Sequence, residues 1–165
     1  MNKRFDRHAL IPDWQQNLLH HATVIIVGMG ALGNEVSRIL AMSGVGKLIL
    51  CDPDHIETSN LSRTVLFRTS DIGRLKVDAA SDSLSVLYPQ IIIEKRARPL
   101  IHGIGLAELK DSNLILSCLD TRSARLQLAG RCQLVRAPYI DGGTHPWVVK
   151  FDLILIQRDH VMHAV

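Results

Sequence analysis

At 165 residues and 47% hydrophobic, the chain is long enough for one well-buried core and cramped for two domains. Its net charge of +3, from 19 basic and 16 acidic residues, is too small a bias to argue for nucleic acid. Cys51, Cys118 and Cys132 share no close spacing, which argues against a disulfide framework and suits a reducing cytosol. The N-terminus lacks the apolar stretch of a signal peptide, and no apolar run reaches the roughly 20 residues of a membrane helix.

Aromatics are only 4% of the chain, so the core must be built from aliphatic side chains. Residues 13–21 read as a short helix with Asp13 as a candidate cap. The β-branched run 23–27 ends at glycine and reads as a strand buried on both faces. Residues 31–43 follow at helical period, with Leu32, Val36, Ile39 and Leu40 on one face. Residues 47–51 form a second buried strand, and 52–71 are polar and turn-rich. A helix over 73–87, ended by Pro89, precedes strands at 91–94 and 114–118. A helix over 121–135 and strands at 139–140 and 148–156 complete the chain. The order of elements predicts an α/β, Rossmann-like fold: a mostly parallel twisted sheet with helices on both faces, as one domain over 1–165.

Gly28-Met29-Gly30-Ala31-Leu32-Gly33 lies between the first strand and the helix after it, the context that a dinucleotide fingerprint requires. Glycines permit a tight turn close to phosphate, and the helix N-terminus offers unpaired N–H groups. Asp52 ends the second strand, 19 residues after Gly33, where an acid can accept hydrogen bonds from ribose hydroxyls. The pattern specifies a nucleotide without saying which, and an NAD(P)-dependent oxidoreductase satisfies it equally.

The polar middle adds groups that a dehydrogenase does not need. Asp54 is followed by Ser59-Asn60-Leu61-Ser62-Arg63 and Gly73-Arg74-Leu75-Lys76. Arg63 and Lys76 are cations suited to the charge that develops when ATP is attacked at its α-phosphate. Asp120 follows the strand 114–118 at its carboxyl end, where α/β sheets bind ligands, and a carboxylate there suits magnesium.

Across these blocks, and on through LILSCLDTRSAR and PYIDGGT, the sequence resembles the ThiF-type adenylating enzymes. These include the molybdopterin-synthase and thiamine sulfur-carrier adenylyltransferases and the ubiquitin-activating enzymes. The resemblance implies ATP-dependent adenylation of the C-terminal carboxylate of a ubiquitin-like or sulfur-carrier protein, with ATP and magnesium as cofactors. It implies that Gly28, Gly30 and Gly33 line the phosphates and that Asp52 holds the ribose with Asp54 nearby. Asn60, Arg63 and Lys76 would contact phosphate and adenylate, and Asp120 would bind magnesium. Asp141, Gly142, Gly143 and Thr144 would receive the carrier tail. Arg7 matches an arginine that enters a partner subunit's site, which implies a homo- or heterodimer. An inactive scaffolding subunit is the alternative within the family, but such subunits usually lose phosphate-site residues that are kept here.

The chain departs from the family pattern at Ala31, Thr64 and Thr121, where glycine, glutamine and asparagine are usual. The paired Cys-x-x-Cys zinc motifs and nucleophilic cysteine of longer relatives are not evident. His160 and His163 are spaced like half a metal site, which is too little to expect zinc in this chain. Cys51, Cys118 and Cys132 are expected to be buried small hydrophobes, so adenylation is expected without an in-chain thioester.

Overall fold

The computed structural model describes residues 3–145 and 148–154, with 144, 145 and 148–154 described by backbone alone. Six strands form one sheet in the order β3-β2-β1-β4-β5-β6. They are β1 Thr23–Val27, β2 Lys47–Cys51, β3 Ile92–Arg96, β4 Leu114–Ser117, β5 Tyr139–His145 and β6 Val148–Ile154. All pairings are parallel except the last, between β5 and β6. The chain builds outward from β1 to β2 and β3, then returns to β4 on the other flank. The order of strand addition therefore reverses between the parallel neighbours β1 and β4, and a crevice opens beyond their carboxyl ends.

Alternating residues of the strands feed two cores. Val24, Ile26, Leu48 and Leu50 face helices α2 (Ala31–Ser43) and α3 (Lys76–Leu87), packing on Ala41, Ala79, Ala80 and Leu84. Ile25, Val27, Ile49 and Ile115 face the other side, packing on Leu100, Leu109 and Leu128. Those three come from α4 (Leu100–Gly103), α5 (Leu106–Asp111) and α6 (Arg122–Leu134). Ile25, Ile26, Leu48 and Leu50 are fully enclosed, and each contributes about 1.5–3 kcal/mol of hydrophobic stabilisation.

Several local expectations are corrected. The first helix, α1, is Gln16–His21, and Asp13 does not cap it but sits at φ 62° in the preceding turn. On α2 the aliphatic residues do not all face the core: Ile39 is 53% exposed, whereas Gly33, Asn34, Ser37 and Ala41 are buried. Small and hydrogen-bonded residues let the helix approach the sheet closely, which the apolar periodicity does not report. Helix α3 begins at Lys76 rather than residue 73, because Leu75 is extended and bridges to His55. The strands expected at 91–94 and 139–140 run to Arg96 and His145. Residues 155–156 of the expected final strand, and His160 and His163, lie outside the described residues. Among the described residues no helix is long and apolar enough to cross a membrane.

Candidate functional site

Beyond the carboxyl ends of β3, β2, β1, β4 and β5 lies a cavity of about 410 Å³. Gly28, Gly30, Asp52, Asp54, Arg63, Lys76, Asp120 and Gly142 all line it, so these distant parts of the sequence converge on one space.

The turn after β1 is shaped by two glycines for different reasons. Gly28 has φ +95°, and an added Cβ would lie 2.6 Å from the Cys118 carbonyl oxygen. Gly33 faces away from the cavity, and its Cβ would fall onto the Gly28 carbonyl oxygen. A glycine there lets α2 pack closely against the turn. Gly30 has open space around its Cα, on the cavity side. Ala31, where a glycine was usual, is accommodated as the first residue of α2.

Asp52 locks this turn to β2. One carboxylate oxygen accepts the Met29 N–H at 2.6 Å and the other accepts the Asp54 N–H at 2.8 Å. Burial raises the Asp52 carboxyl above the usual carboxylate range, although these two N–H groups and Lys76 oppose the rise. Asn34, which the motif reading does not single out, completes the clamp. Its amide donates to the carbonyls of Met29 (2.9 Å) and Gly30 (3.0 Å), and its oxygen accepts the Leu66 N–H at 3.0 Å. An asparagine directly after the last motif glycine, on an otherwise buried helix face, was the available signal.

Lys76 opens α3, where the helix dipole disfavours a cation. Carboxylates hold it there: its Nζ lies 2.8 Å from Asp54 Oδ2 and 4.0 Å from Asp52 Oδ1, and its N–H donates to the Asp54 carbonyl at 3.0 Å. Arg63 is exposed and donates to the Ser59 carbonyl at 2.7 Å. Asp120 is exposed at the cavity rim and has no hydrogen-bond or ion-pair partner among the described residues. Arg98, two residues past the end of β3, also lines the cavity and was missed. Its signal was position alone: a cation just beyond a parallel strand's carboxyl end.

Other expected residues lie elsewhere. Asn60 is buried outside the cavity, where its side chain accepts the Glu57 N–H at 3.1 Å and shapes the turn that presents Arg63. Thr64 beside it is buried and donates to the Asn60 carbonyl. Asp141 is buried behind the cavity wall and accepts a hydrogen bond from Arg125 Nε at 2.8 Å. Burial opposes its ionisation, but the Arg125 guanidinium and the nearby Ser117 and Tyr139 hydroxyls outweigh that and hold its carboxyl below the usual range. Gly143 packs against the Arg125 guanidinium, while Gly142 faces the cavity. Thr144 is in β5, but its side chain lies outside the described residues. Arg7 is exposed just before a short 3₁₀ turn (His8–Leu10), away from the cavity.

The thiols are poorly suited to nucleophilic work. Burial pushes Cys51 and Cys118 up to about 12 and Cys132 up to about 11. Among the described residues no cluster of three or more metal-binding side chains is present.

Comparison with known proteins agrees with this geometry. The chain is 34% identical over 143 residues to the molybdopterin-synthase adenylyltransferase of Escherichia coli K12, covering 84% of this chain and 57% of that one. It is 34% identical over 153 residues to ubiquitin-activating enzyme E1 1 of Triticum aestivum, covering 87% of this chain and 15% of the relative. The chain thus spans about half the length of the first of these and far less of the second. The crystal structure of E. coli MccB with ATP superposes with a TM-score of 0.74 at 29% identity, covering 87% of this chain and 46% of that one. The family model described as ThiF matches residues 5–153, nearly the whole chain. The chain belongs to the ThiF family.

Proposed function

We propose that residues 1–165 form a single adenylation domain, which binds ATP with magnesium and transfers AMP to the C-terminal carboxylate of a ubiquitin-like or sulfur-carrier protein. The observation that carries this reading is the meeting of a glycine turn, a ribose-type acid, the cations Arg63 and Lys76, and the Asp120 carboxylate around one cavity. An oxidoreductase would use the turn and Asp52 but leave Arg63, Lys76 and Asp120 without a task.

The substrate carboxylate is already ionised at pH 7, so no general base is needed. Its oxygen attacks the α-phosphorus, the bond to the bridging oxygen breaks, and pyrophosphate leaves with the electron pair. Lys76 and Arg63 would offset charge on the attacked phosphate and on the leaving group. Gly28 and Gly30 would let the backbone approach the phosphates, and Asp52 would hold the ribose. The donor set suits magnesium: Asp120 is a lone, accessible hard oxygen ligand, and magnesium commonly keeps waters and shares phosphate oxygens. When bound, magnesium supplies charge neutralisation on the phosphates.

Gly142 offers the tail a side-chain-free strip at the cavity wall, with Thr144 further along the strand. Asp141 would act indirectly, by fixing β5 through Arg125. The exposure of Arg7 suits a role in a second subunit's site, in a homo- or heterodimer. The three free thiols suit a reducing, cytoplasmic setting.

The test is exchange of labelled pyrophosphate into ATP, with small carrier proteins encoded nearby as candidates. Exchange that appears only with one carrier supports the reading. NADH binding with no ATP binding in a parallel titration would refute it.

A further inference from the structure

The order of strand ends sets the order of any bound nucleotide's parts. Along the crevice stand Arg98 and Leu100 after β3, Asp52 after β2, the glycine turn after β1, and Asp120 after β4. Neighbouring strands are about 4.8 Å apart, so these groups are spread over a nucleotide's length. With ribose at Asp52 and phosphates over the glycine turn, the base extends in the remaining direction, toward β3. There the cavity offers one apolar surface, the largely buried Leu100, and one charged group, Arg98.

Arg98 differs from the other cations of the cavity. Lys76 is paired with Asp54, and Arg63 donates to the Ser59 carbonyl. The Arg98 guanidinium has no hydrogen-bond or ion-pair partner among the described residues. Its backbone is held, because its carbonyl accepts the Cys51 thiol at 3.3 Å and Pro99 follows. A donor-only fork therefore waits at the base end of the crevice with nothing to accept from it.

Resting on the nucleotide reading above, we propose that Arg98 is the purine-selecting residue of the base subsite, donating to the ring nitrogen N7. Adenine and guanine both present N7 as an acceptor, and pyrimidines have no such atom. The group would thus favour purines as a class.

Calorimetric titration of this chain and its Arg98→Ala variant with ATP, 7-deaza-ATP, CTP and inorganic tripolyphosphate tests the assignment. A hydrogen bond from a charged donor corresponds to a loss of about ten- to a hundredfold in ATP affinity on Arg98→Ala. Binding of 7-deaza-ATP and of tripolyphosphate should not change, which also shows that the variant is folded. The original chain should bind 7-deaza-ATP and CTP as weakly as the variant binds ATP. Equal losses for ATP and tripolyphosphate would make Arg98 a phosphate cation and overturn the proposal. So would unaltered ATP binding by the variant, or 7-deaza-ATP binding as tightly as ATP. If the original chain binds neither tripolyphosphate nor any nucleotide, the reading of the cavity falls as well.

Discussion

Replacing Lys76 with alanine should separate activity from stability. Its ammonium lies 2.8 Å from the Asp54 carboxylate, but that side chain is 61% exposed, so water screens the pair. Exposed ion pairs contribute about 0–1 kcal/mol, and each kcal/mol moves the midpoint of a chain this size by about 2–4 °C. The variant should therefore melt within about 4 °C of the parent. Catalysis is different, because the Lys76 side chain is only 13% exposed and faces the cavity. A phosphate oxygen at the 4.0 Å now separating Nζ from Asp52 Oδ1 would interact by about 4 kcal/mol at an effective dielectric of 20. If that charge develops mainly in the transition state, Lys76→Ala loses roughly three orders of magnitude in rate. Carrier-dependent pyrophosphate exchange reads this directly, with differential scanning calorimetry on the same sample. A folded Lys76→Ala variant that exchanges within tenfold of the parent would refute the assignment.

Gly33→Ala should unfold about 2–3 kcal/mol more easily in urea, since its Cβ meets backbone; Gly30→Ala should keep its stability and lose ATP affinity. Identical urea midpoints for the two variants would contradict the distinction drawn between these glycines. Asp120→Asn should raise the magnesium concentration needed for half-maximal exchange, and chelation should abolish exchange in the parent; an unchanged metal requirement would remove Asp120 from that role. Cys132→Ser should form adenylate at the parental rate, and no carrier adduct sensitive to thiol reductant should accumulate in either protein; a trapped adduct lost on Cys132→Ser would overturn the assignment. Arg125→Ala leaves the buried Asp141 carboxylate without its cation, at a cost of about 3–5 kcal/mol near neutral pH. Because the folded Asp141 carboxyl is depressed, that stabilisation is full above its unfolded value of about 3.9 and lost as pH falls through the folded value. The gap between the two melting temperatures should thus be constant above about pH 5 and close in stronger acid; a gap that widens there would refute the pairing.

Strong local signals gave the fold. The runs 23–27 and 47–51 are β-branched or aliphatic, bounded by glycine or a polar turn, and long enough only for a strand; both match the observed bounds. Helix α2 likewise runs over 31–43 as expected, with Val36 and Leu40 packed on the core, but Ile39 turns outward and small and polar residues share the buried side. Asn34 and Ser37 enter the interior because the glycine turn supplies carbonyls for them to bond, a partner that periodicity does not register. The same limit explains Asn60 and Asp141. Each has the residue type of a ligand contact, but a nearby backbone N–H or guanidinium satisfies it away from the cavity. Lys76, Arg63, Asp52 and Asp120 were legible because charges crowded into a polar segment or set at a strand's carboxyl end need a partner. Arg98 has neither motif nor neighbour to mark it, and only the sheet order gives it meaning.

No two adjoining segments of this chain could form the crevice between β1 and β4 on their own. Its walls come from residues as distant as Gly28 and Gly142, so the site exists only once the sheet has closed in its final order. A nucleotide that occupies it is therefore also a ligand of the native state as a whole. At a hundred times its dissociation constant it would add about 2.7 kcal/mol to global stability. Thermal-shift screening of metabolites thus samples occupancy without any knowledge of the acceptor.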